Sequence, residues 1–215
     1  MEPRLNIKEI DPREFNPIQP EPLLIVISGL SGAGKDAIIQ RLKERGLPFH
    51  FVVTTTSRPK RENEVHGVDY FFVTDDEFRR MVEAGEMLEY AEVYGQLKGV
   101  TRDQVFKALQ SGQDVIMRLD VQGAATIRQL FPEALLIFIT VPNQEALLRR
   151  LIRRETETEE SLRVRLEDAH KELQRISEFD YILVNEEHRL EDAVDTIIGI
   201  INAEHHRVHP RKVRV

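Results

Sequence analysis

The segment GLSGAGKDA, residues 29–37, has the glycines and the lysine that proteins use to hold the phosphates of a nucleoside triphosphate. It follows the pattern GxxxxGK[ST] except at the last position, where Asp36 replaces the hydroxyl residue that normally binds Mg²⁺. A glycine-rich turn that merely joins a strand to a helix is the alternative. If the loop does bind phosphates, Asp36 is either a metal ligand or a negative charge that needs a positively charged partner. The residues predicted to bind the triphosphate are Gly29, Ser31, Gly32, Ala33, Gly34, Lys35 and Asp36.

A second group of basic residues, within residues 54–73, is typical of a site for another phosphorylated molecule. Arg58 and Arg61 lie three residues apart and can both donate to one phosphate. Thr54 and Tyr70 can supply neutral donors. The alternative is a solvated charged loop, which is the usual structure of a charge run. Two phosphate-binding segments in one chain indicate two phosphorylated substrates and phosphoryl transfer between them.

The apolar pattern predicts a parallel sheet that brings these loops together. Residues 23–29, LLIVISG, form an all-apolar run that leads through the loop into a helix over 38–45. Because such runs alternate with helical patterns, we expect a doubly wound α/β sheet with ligands at the carboxyl ends of its strands. Further strands are predicted at 49–56, 70–73, 87–93, 114–120, 134–141 and 181–185. Further helices are predicted at 75–84, 101–110, 123–131, 189–206 and, with a break near 156–160, over 143–176.

Composition and charge limit the possible functions. The 215 residues are 41% hydrophobic and 31% charged, which fits one globular domain. A net charge of -7 argues against nucleic-acid and anionic-membrane partners, and no apolar run is long enough to cross a bilayer. The sequence has no cysteine, which excludes disulfides and thiolate sites. We expect a cytoplasmic protein.

Taken together, the motifs resemble those of the guanylate kinase family over residues 23–204. The similar segments are GLSGAGK, TTTSRPKRENEVHGVDYFFV, EFRRMVEAGEMLEYAEVYG, DVQGAATIR, RRETETEESLRVRL and DYILVN. The resemblance implies a three-layer P-loop NTPase fold with a central parallel sheet, a small nucleotide-monophosphate-binding lobe and a lid. It also implies transfer of a phosphoryl group from ATP, with Mg²⁺, to GMP or dGMP by a monomer or homodimer.

The same resemblance divides the chain. It implies a single guanylate-kinase-like domain over 23–207. The prolines and charges of residues 1–22 are typical of an extended N-terminal arm, and residues 208–215 form a basic tail. The segment HHRVH, 205–209, is expected to be a solvated basic end and not a metal site. Within the domain, the core is 23–53, 101–142 and 166–207, the monophosphate-binding lobe is 54–100 and the lid is 143–165.

Glu89 is the residue that the resemblance assigns to the guanine edge. A carboxylate accepts hydrogen bonds from N1–H and the 2-amino group of guanine, and adenine offers no such donor pair. The alternative is an exposed acid on a helix or strand. The residues implied to bind GMP are Thr54, Arg58, Arg61, Glu64, Tyr70, Glu89, Lys98 and Asp120.

Two lid arginines, Arg154 and Arg165, are implied to close over the phosphates. They would neutralise charge on the transferred group in the transition state, together with Lys35 and Arg58. Asn185 follows the last strand and matches a family position near the adenine of ATP; a simple turn former is the alternative.

Departures from the family pattern fall on functional positions. Asp36 and Ala37 leave no hydroxyl for Mg²⁺, Lys98 and Val100 replace a tyrosine and a small hydroxyl residue, and Arg118 replaces an acid. Because the loop gains a negative charge and the nearby strand end gains a positive one, we predict an Asp36–Arg118 ion pair. Mg²⁺ would then be held mainly by the phosphates. The departures leave two alternatives open: a binding module with weak or no kinase activity, and a kinase with a changed acceptor.

Overall fold

The protein is built on two β-sheets. The computed structural model describes residues 20–93, 95–152 and 159–213. Within these ranges the strands are β1 (Leu24–Gly29), β2 (Phe49–Phe51), β3 (Thr55–Thr56), β4 (Phe71–Phe72), β5 (Met87–Val93), β6 (Gln96–Thr101), β7 (Asp114–Arg118), β8 (Leu135–Thr140) and β9 (Tyr181–Val184). The helices are α1 (Lys35–Glu44), α2 (Asp75–Glu83), α3 (Arg102–Leu109), α4 (Val121–Leu130), α5 (Gln144–Ile152), α6 (Glu159–Leu173) and α7 (Leu190–His205).

The central sheet has the strand order β2-β7-β1-β8-β9, and all neighbouring strands in it are parallel. All six residues of β1 are buried, because β7 and β8 cover its edges and helices cover its faces. Alternate side chains of this segment enter two cores: Ile25 and Ile27 pack with residues of α1, α5 and α7, while Leu24 and Val26 pack with residues of α3 and α4. The three layers and the parallel sheet confirm the predicted fold.

The second sheet, β4-β3-β6-β5, corrects the strand predicted over 49–56. Phe49–Phe51 pairs with β7 in the central sheet, and the chain then crosses to the second sheet at Thr55–Thr56. Strand β6 was not predicted, because Lys98 and Gly99 interrupt its apolar pattern. Its antiparallel pairing with β5 nevertheless places Val100 opposite Glu89. The second sheet thus places Thr55 and Thr56, from the second basic segment (residues 54–73, here called the acceptor segment), one strand away from Glu89.

Helix α1 begins at Lys35, three residues before the predicted start. Gly34 is its N-cap and has a φ of 94°, a left-handed conformation that favours glycine. Lys35 and Asp36 therefore lie in the first turn, at the positive end of the helix dipole. The break predicted near 156–160 lies mostly outside the described residues. No helix within the described ranges is long and apolar enough to span a membrane.

The C-terminus packs against the protein at Arg211, beyond HHRVH (205–209), where residues 206–209 are exposed as expected for a solvated basic end. The Arg211 guanidinium is buried and donates to Glu204 at 2.7 Å. The buried carboxylate of Glu204 also accepts from the Tyr181 hydroxyl at 2.7 Å and from Arg207 at 3.0 Å. Val213 packs against the core formed with α3 and α4. A buried carboxylate needs such donors, which explains why Arg211 leaves solvent.

Candidate active site

One cavity at the carboxyl end of β1 and β7 gathers most of the predicted site residues. Helix α6 lines part of it, through Arg165 and Glu172. The predicted residues that line it are Gly29, Ser31, Gly32, Gly34, Lys35, Asp36, Thr54, Arg58, Arg61, Tyr70, Glu89, Lys98, Asp120 and Arg165. Ala33, Glu64 and Asn185 lie outside the lining, and Arg154 lies outside the described residues. The triphosphate and monophosphate segments therefore meet at one place.

The phosphate loop is shaped by close backbone contacts. Gly29 has a φ of 122°, and a Cβ there would lie 2.0 Å from the carbonyl oxygen of Ile139. Lys35 folds back across the loop, where its Nζ donates to the carbonyl oxygens of Gly29 at 2.6 Å and Leu30 at 2.9 Å. Burial lowers the pKa of Lys35, and the nearby carboxylate of Glu172 opposes that effect. The ammonium is thus held at the loop by backbone carbonyls, and its contact with phosphate stays a prediction.

Asn185 and Arg150 brace the loop from behind. The Asn185 side chain donates to the Ala33 carbonyl at 2.7 Å. Arg150 donates to the same carbonyl at 2.9 Å and to the Asn185 carbonyl at 2.7 Å. A Cβ on Gly34 would lie 2.5 Å from the Asn185 amide nitrogen, so this glycine makes the close approach possible. Asn185 positions the loop; its contact with adenine stays a prediction.

The predicted ion pair between Asp36 and Arg118 is confirmed, with Nη1 and Oδ1 2.5 Å apart. Arg118 also donates to the Asp69 carbonyl at 3.2 Å, and its guanidinium lies 4.3 Å from the centre of the Tyr70 ring. The carbonyl of Arg118 accepts from the Thr54 hydroxyl at 3.2 Å. This arginine therefore joins the phosphate-loop helix, a central strand and the acceptor segment.

The acceptor segment is organised around Arg58. Glu64 accepts from both terminal nitrogens of this guanidinium, at 2.7 Å on the Nη1 side. Glu64 also accepts from the Arg61 backbone N–H at 2.9 Å. The Arg58 guanidinium lies 4.7 Å from the centre of the Tyr70 ring, within range of a cation–π interaction. Glu64 thus positions Arg58 and the loop, and its contact with GMP stays a prediction.

Glu89 is a buried acid with an unused acceptor. It is 5% exposed, and its Oε2 meets no hydrogen-bond partner in the part of the chain that the structure describes. Burial, with a smaller contribution from Asp120, raises the pKa of Glu89 to about 8. Burial also lowers the pKa of Lys98 to about 8, and the charge of Arg58 adds to that effect. A buried acceptor at the wall of a cavity is a strong indication of a ligand with matching donors.

The comparisons with known proteins agree with this geometry. The profile described as Guanylate kinase matches residues 21–204. The chain belongs to the guanylate kinase family. It is 50% identical over 197 residues to "Guanylate kinase 2, chloroplastic/mitochondrial" of Oryza sativa subsp. japonica, covering 91% of this chain and 69% of that protein.

Two further relatives extend the similarity. The chain is 43% identical over 185 residues to the guanylate kinase of Thermotoga maritima, covering 86% of this chain and 88% of that protein. Its fold matches the crystal structure of guanylate kinase from Anaplasma phagocytophilum with a TM-score of 0.72 at 29% identity, covering 89% and 90% of the two chains. The family and fold predicted from the motifs are confirmed.

Glu172 is a site residue that the sequence did not reveal. Glu172 lies two helical turns after Arg165 on α6, and both residues line the cavity. Its Oε2 accepts a hydrogen bond from the Ser31 backbone N–H at 3.1 Å. Burial raises the pKa of Glu172, and the ammonium of Lys35 opposes this. In the sequence this glutamate is one of many in a charged helix. The spacing of seven residues from Arg165 was the available signal, since it places both on one helix face.

Proposed function

We propose that the protein transfers the γ-phosphoryl group of ATP to GMP or dGMP, forming ADP and GDP or dGDP. The supporting observation is that a phosphate loop and a buried carboxylate with an unused acceptor line the same cavity. The loop suits a triphosphate, and the carboxylate suits a base with two adjacent donors. Adenosine monophosphate lacks that donor pair, so a guanine nucleotide is the favoured phosphoryl acceptor.

The donor nucleotide would be held by backbone and cationic groups. The turn at Gly32 and Gly34 and the N-terminus of α1 would present N–H groups to the β- and γ-phosphates. Lys35 would exchange its two carbonyl contacts for phosphate oxygens. Arg165 lines the cavity from α6, and Arg154 is proposed as its partner over the transferred group.

The acceptor nucleotide would be held at both ends. Arg58, already fixed by Glu64, would bind the monophosphate with Arg61 and Lys98. Glu89 would accept hydrogen bonds from guanine, with Asp120 beside it. Because the raised pKa leaves Glu89 mostly protonated at neutral pH, binding of guanine to the ionised form releases a proton.

A protein-only metal centre is not evident: the described residues contain no group of three or more His, Cys, Asp or Glu arranged to hold a metal ion. The donors fit Mg²⁺ that arrives with ATP, because this ion is usually held by substrate phosphates, water and one or two carboxylates. Asp36 offers a hard oxygen donor at the loop, and it already pairs with Arg118. When bound, Mg²⁺ would neutralise phosphate charge.

Catalysis would then rest on positioning and charge neutralisation. A phosphate oxygen of the acceptor attacks the γ-phosphorus, the bond from that phosphorus to the β–γ bridging oxygen breaks, and ADP leaves with the electron pair. The cationic side chains around the cavity offset the charge that spreads over the transferred oxygens. Those side chains are Lys35, Arg58, Arg61, Lys98, Arg118 and Arg165.

A coupled ADP-release assay tests this function. GMP, dGMP, AMP, UMP, CMP and several phosphosugars would be compared with and without Mg²⁺. We expect turnover with GMP and dGMP that depends on Mg²⁺. Faster turnover with another acceptor would indicate a changed acceptor, and ADP release that no acceptor stimulates would refute the kinase. The cytoplasmic location, the lack of nucleic-acid and membrane partners and the monomeric or homodimeric state stay predictions.

A further inference from the structure

Gly123 lies in the first turn of α4, where helix formation alone favours another residue. Its backbone belongs to the helix, and it is not one of the glycines with positive φ. Alanine could therefore adopt the same conformation and is the better helix former. The reason for glycine at this position must lie in its surroundings.

Those surroundings are the carboxyl group of Glu89. A Cβ on Gly123 would lie 2.6 Å from Oε2, 2.8 Å from Cδ and 2.9 Å from Oε1 of that side chain. Carbon atoms do not approach a carboxyl group that closely, so an added methyl group would displace it. The displaced atoms are the end of a flexible side chain, so the fold can adapt while the carboxyl group cannot stay in place.

Gly123 also contacts Asp120, the second acid proposed to face the guanine base. Its backbone N–H donates to Asp120 Oδ1 at 2.7 Å, which makes Asp120 the N-cap of α4. The missing side chain of Gly123 thus makes room for Glu89, and its N–H orients Asp120. Both acids line the cavity, and Glu89 carries the acceptor that has no partner among the described residues.

We propose that Gly123 is a positioning residue that determines base specificity, because it sets where Glu89 and Asp120 stand against the guanine edge. The inference rests on the proposed function and deepens it. Gly123 acts through the two acids. Gly199 offers a matched control, because it lies in helix α7 and a Cβ there would meet nothing within 4 Å.

The test compares wild type, Gly123→Ala and Gly199→Ala in three measurements: melting temperature, KM for ATP, and kcat/KM for GMP and for inosine monophosphate, which lacks the 2-amino group. For Gly123→Ala we expect kcat/KM for GMP to fall roughly ten- to a hundredfold, as expected when a contact group is misplaced by about 1 Å. The preference for GMP over inosine monophosphate should shrink. The KM for ATP should stay the same, and the melting temperature should not fall. Gly199→Ala should match wild type.

Unchanged GMP kinetics in Gly123→Ala would overturn the inference. An equal fall in kcat/KM for GMP and inosine monophosphate, with a higher KM for ATP and a lower melting temperature, would show general damage to the protein. That result would also overturn the inference. If wild type does not phosphorylate GMP, the proposed function fails, and calorimetric binding of GMP and inosine monophosphate decides the inference separately. In that case a lost GMP preference in Gly123→Ala supports it, and equal preferences in the two glycine variants overturn it.

Discussion

The ion pair between Asp36 and Arg118 can be tested by exchanging its charges. Two unit charges about 4 Å apart interact by about 4 kcal/mol at an effective dielectric constant of about 20. The Arg118 side chain is 16% exposed, but that of Asp36 is 57% exposed, so solvent screens the pair. Screening of this kind reduces the coupling energy to about 1–2 kcal/mol, which corresponds to roughly a factor of ten in the rate.

The variants are Asp36→Ser, Arg118→Asp and the double exchange. Asp36→Ser leaves Arg118 against Tyr70 and the Asp69 carbonyl without its counter-ion. Arg118→Asp places two carboxylates beside the phosphate loop, where they repel each other and the substrate. The double exchange provides a hydroxyl and an acid, so we expect turnover above both single variants and a lower Mg²⁺ requirement.

Initial rates of ADP release, measured over a range of Mg²⁺ concentrations, give the coupling energy. The matched control is the pair between Asp103 and Lys107 on α3, whose side chains are 71% and 70% exposed. The same exchanges there should leave the rates unchanged. A coupling below about 0.5 kcal/mol at Asp36 and Arg118 would mean simple additivity and would show that this ion pair does not contribute to the rate.

Three further predictions concern buried charges. Glu89→Gln should lower kcat/KM for GMP by a factor equivalent to a few kcal/mol, because it presents a donor to guanine donors. Glu89→Gln should also raise the melting temperature at neutral pH. The unfolded chain ionises Glu89 above about pH 4.5, whereas the folded protein keeps it protonated up to about pH 8, so stability falls over this range and glutamine removes the loss. An unchanged GMP rate in this variant would show that Glu89 does not contact guanine. The value of kcat/KM for GMP should rise toward about pH 8 as Glu89 ionises and fall above it as Lys98 loses its charge, whereas a flat profile would contradict both assignments. Glu204→Ala should cost roughly 2–3 kcal/mol in urea unfolding, because it removes the buried carboxylate that accepts from Tyr181 and Arg211, and should not change the kinetics. An unchanged unfolding midpoint would show that these contacts of Glu204 contribute nothing to stability.

The central sheet could be predicted because its strands are short apolar runs, and β1 contacts protein on every side. The division of residues 49–56 between two sheets could not, since pairing partners decide it and the sequence is uniformly strand-like there. Strand β6 was missed because Lys98 and Gly99 interrupt its apolar pattern. A Cβ at Gly99 would lie 2.4 Å from the Glu89 carbonyl, so the sheet itself requires glycine.

The site was predictable where chain order implies proximity. Asp36 follows β1, and Arg118 ends the neighbouring strand β7, so a parallel sheet brings them together. Glu172 was not predictable in this way, because the packing of α6 against the loop places it there. The burial of Arg211 depends likewise on Glu204 and Asp180, because only the folded chain brings the Asp180 carboxylate near this guanidinium.

The most direct test of the central claim follows the phosphoryl group itself. ATP labelled in its γ-phosphate would be incubated with wild-type protein, Mg²⁺ and GMP, and the nucleotides then separated. For a kinase that transfers the γ-phosphoryl group to GMP, we expect the label in the β-phosphate of GDP, with one ADP formed for each GDP. Label that stays in ATP, or that appears only in inorganic phosphate, would contradict the central claim.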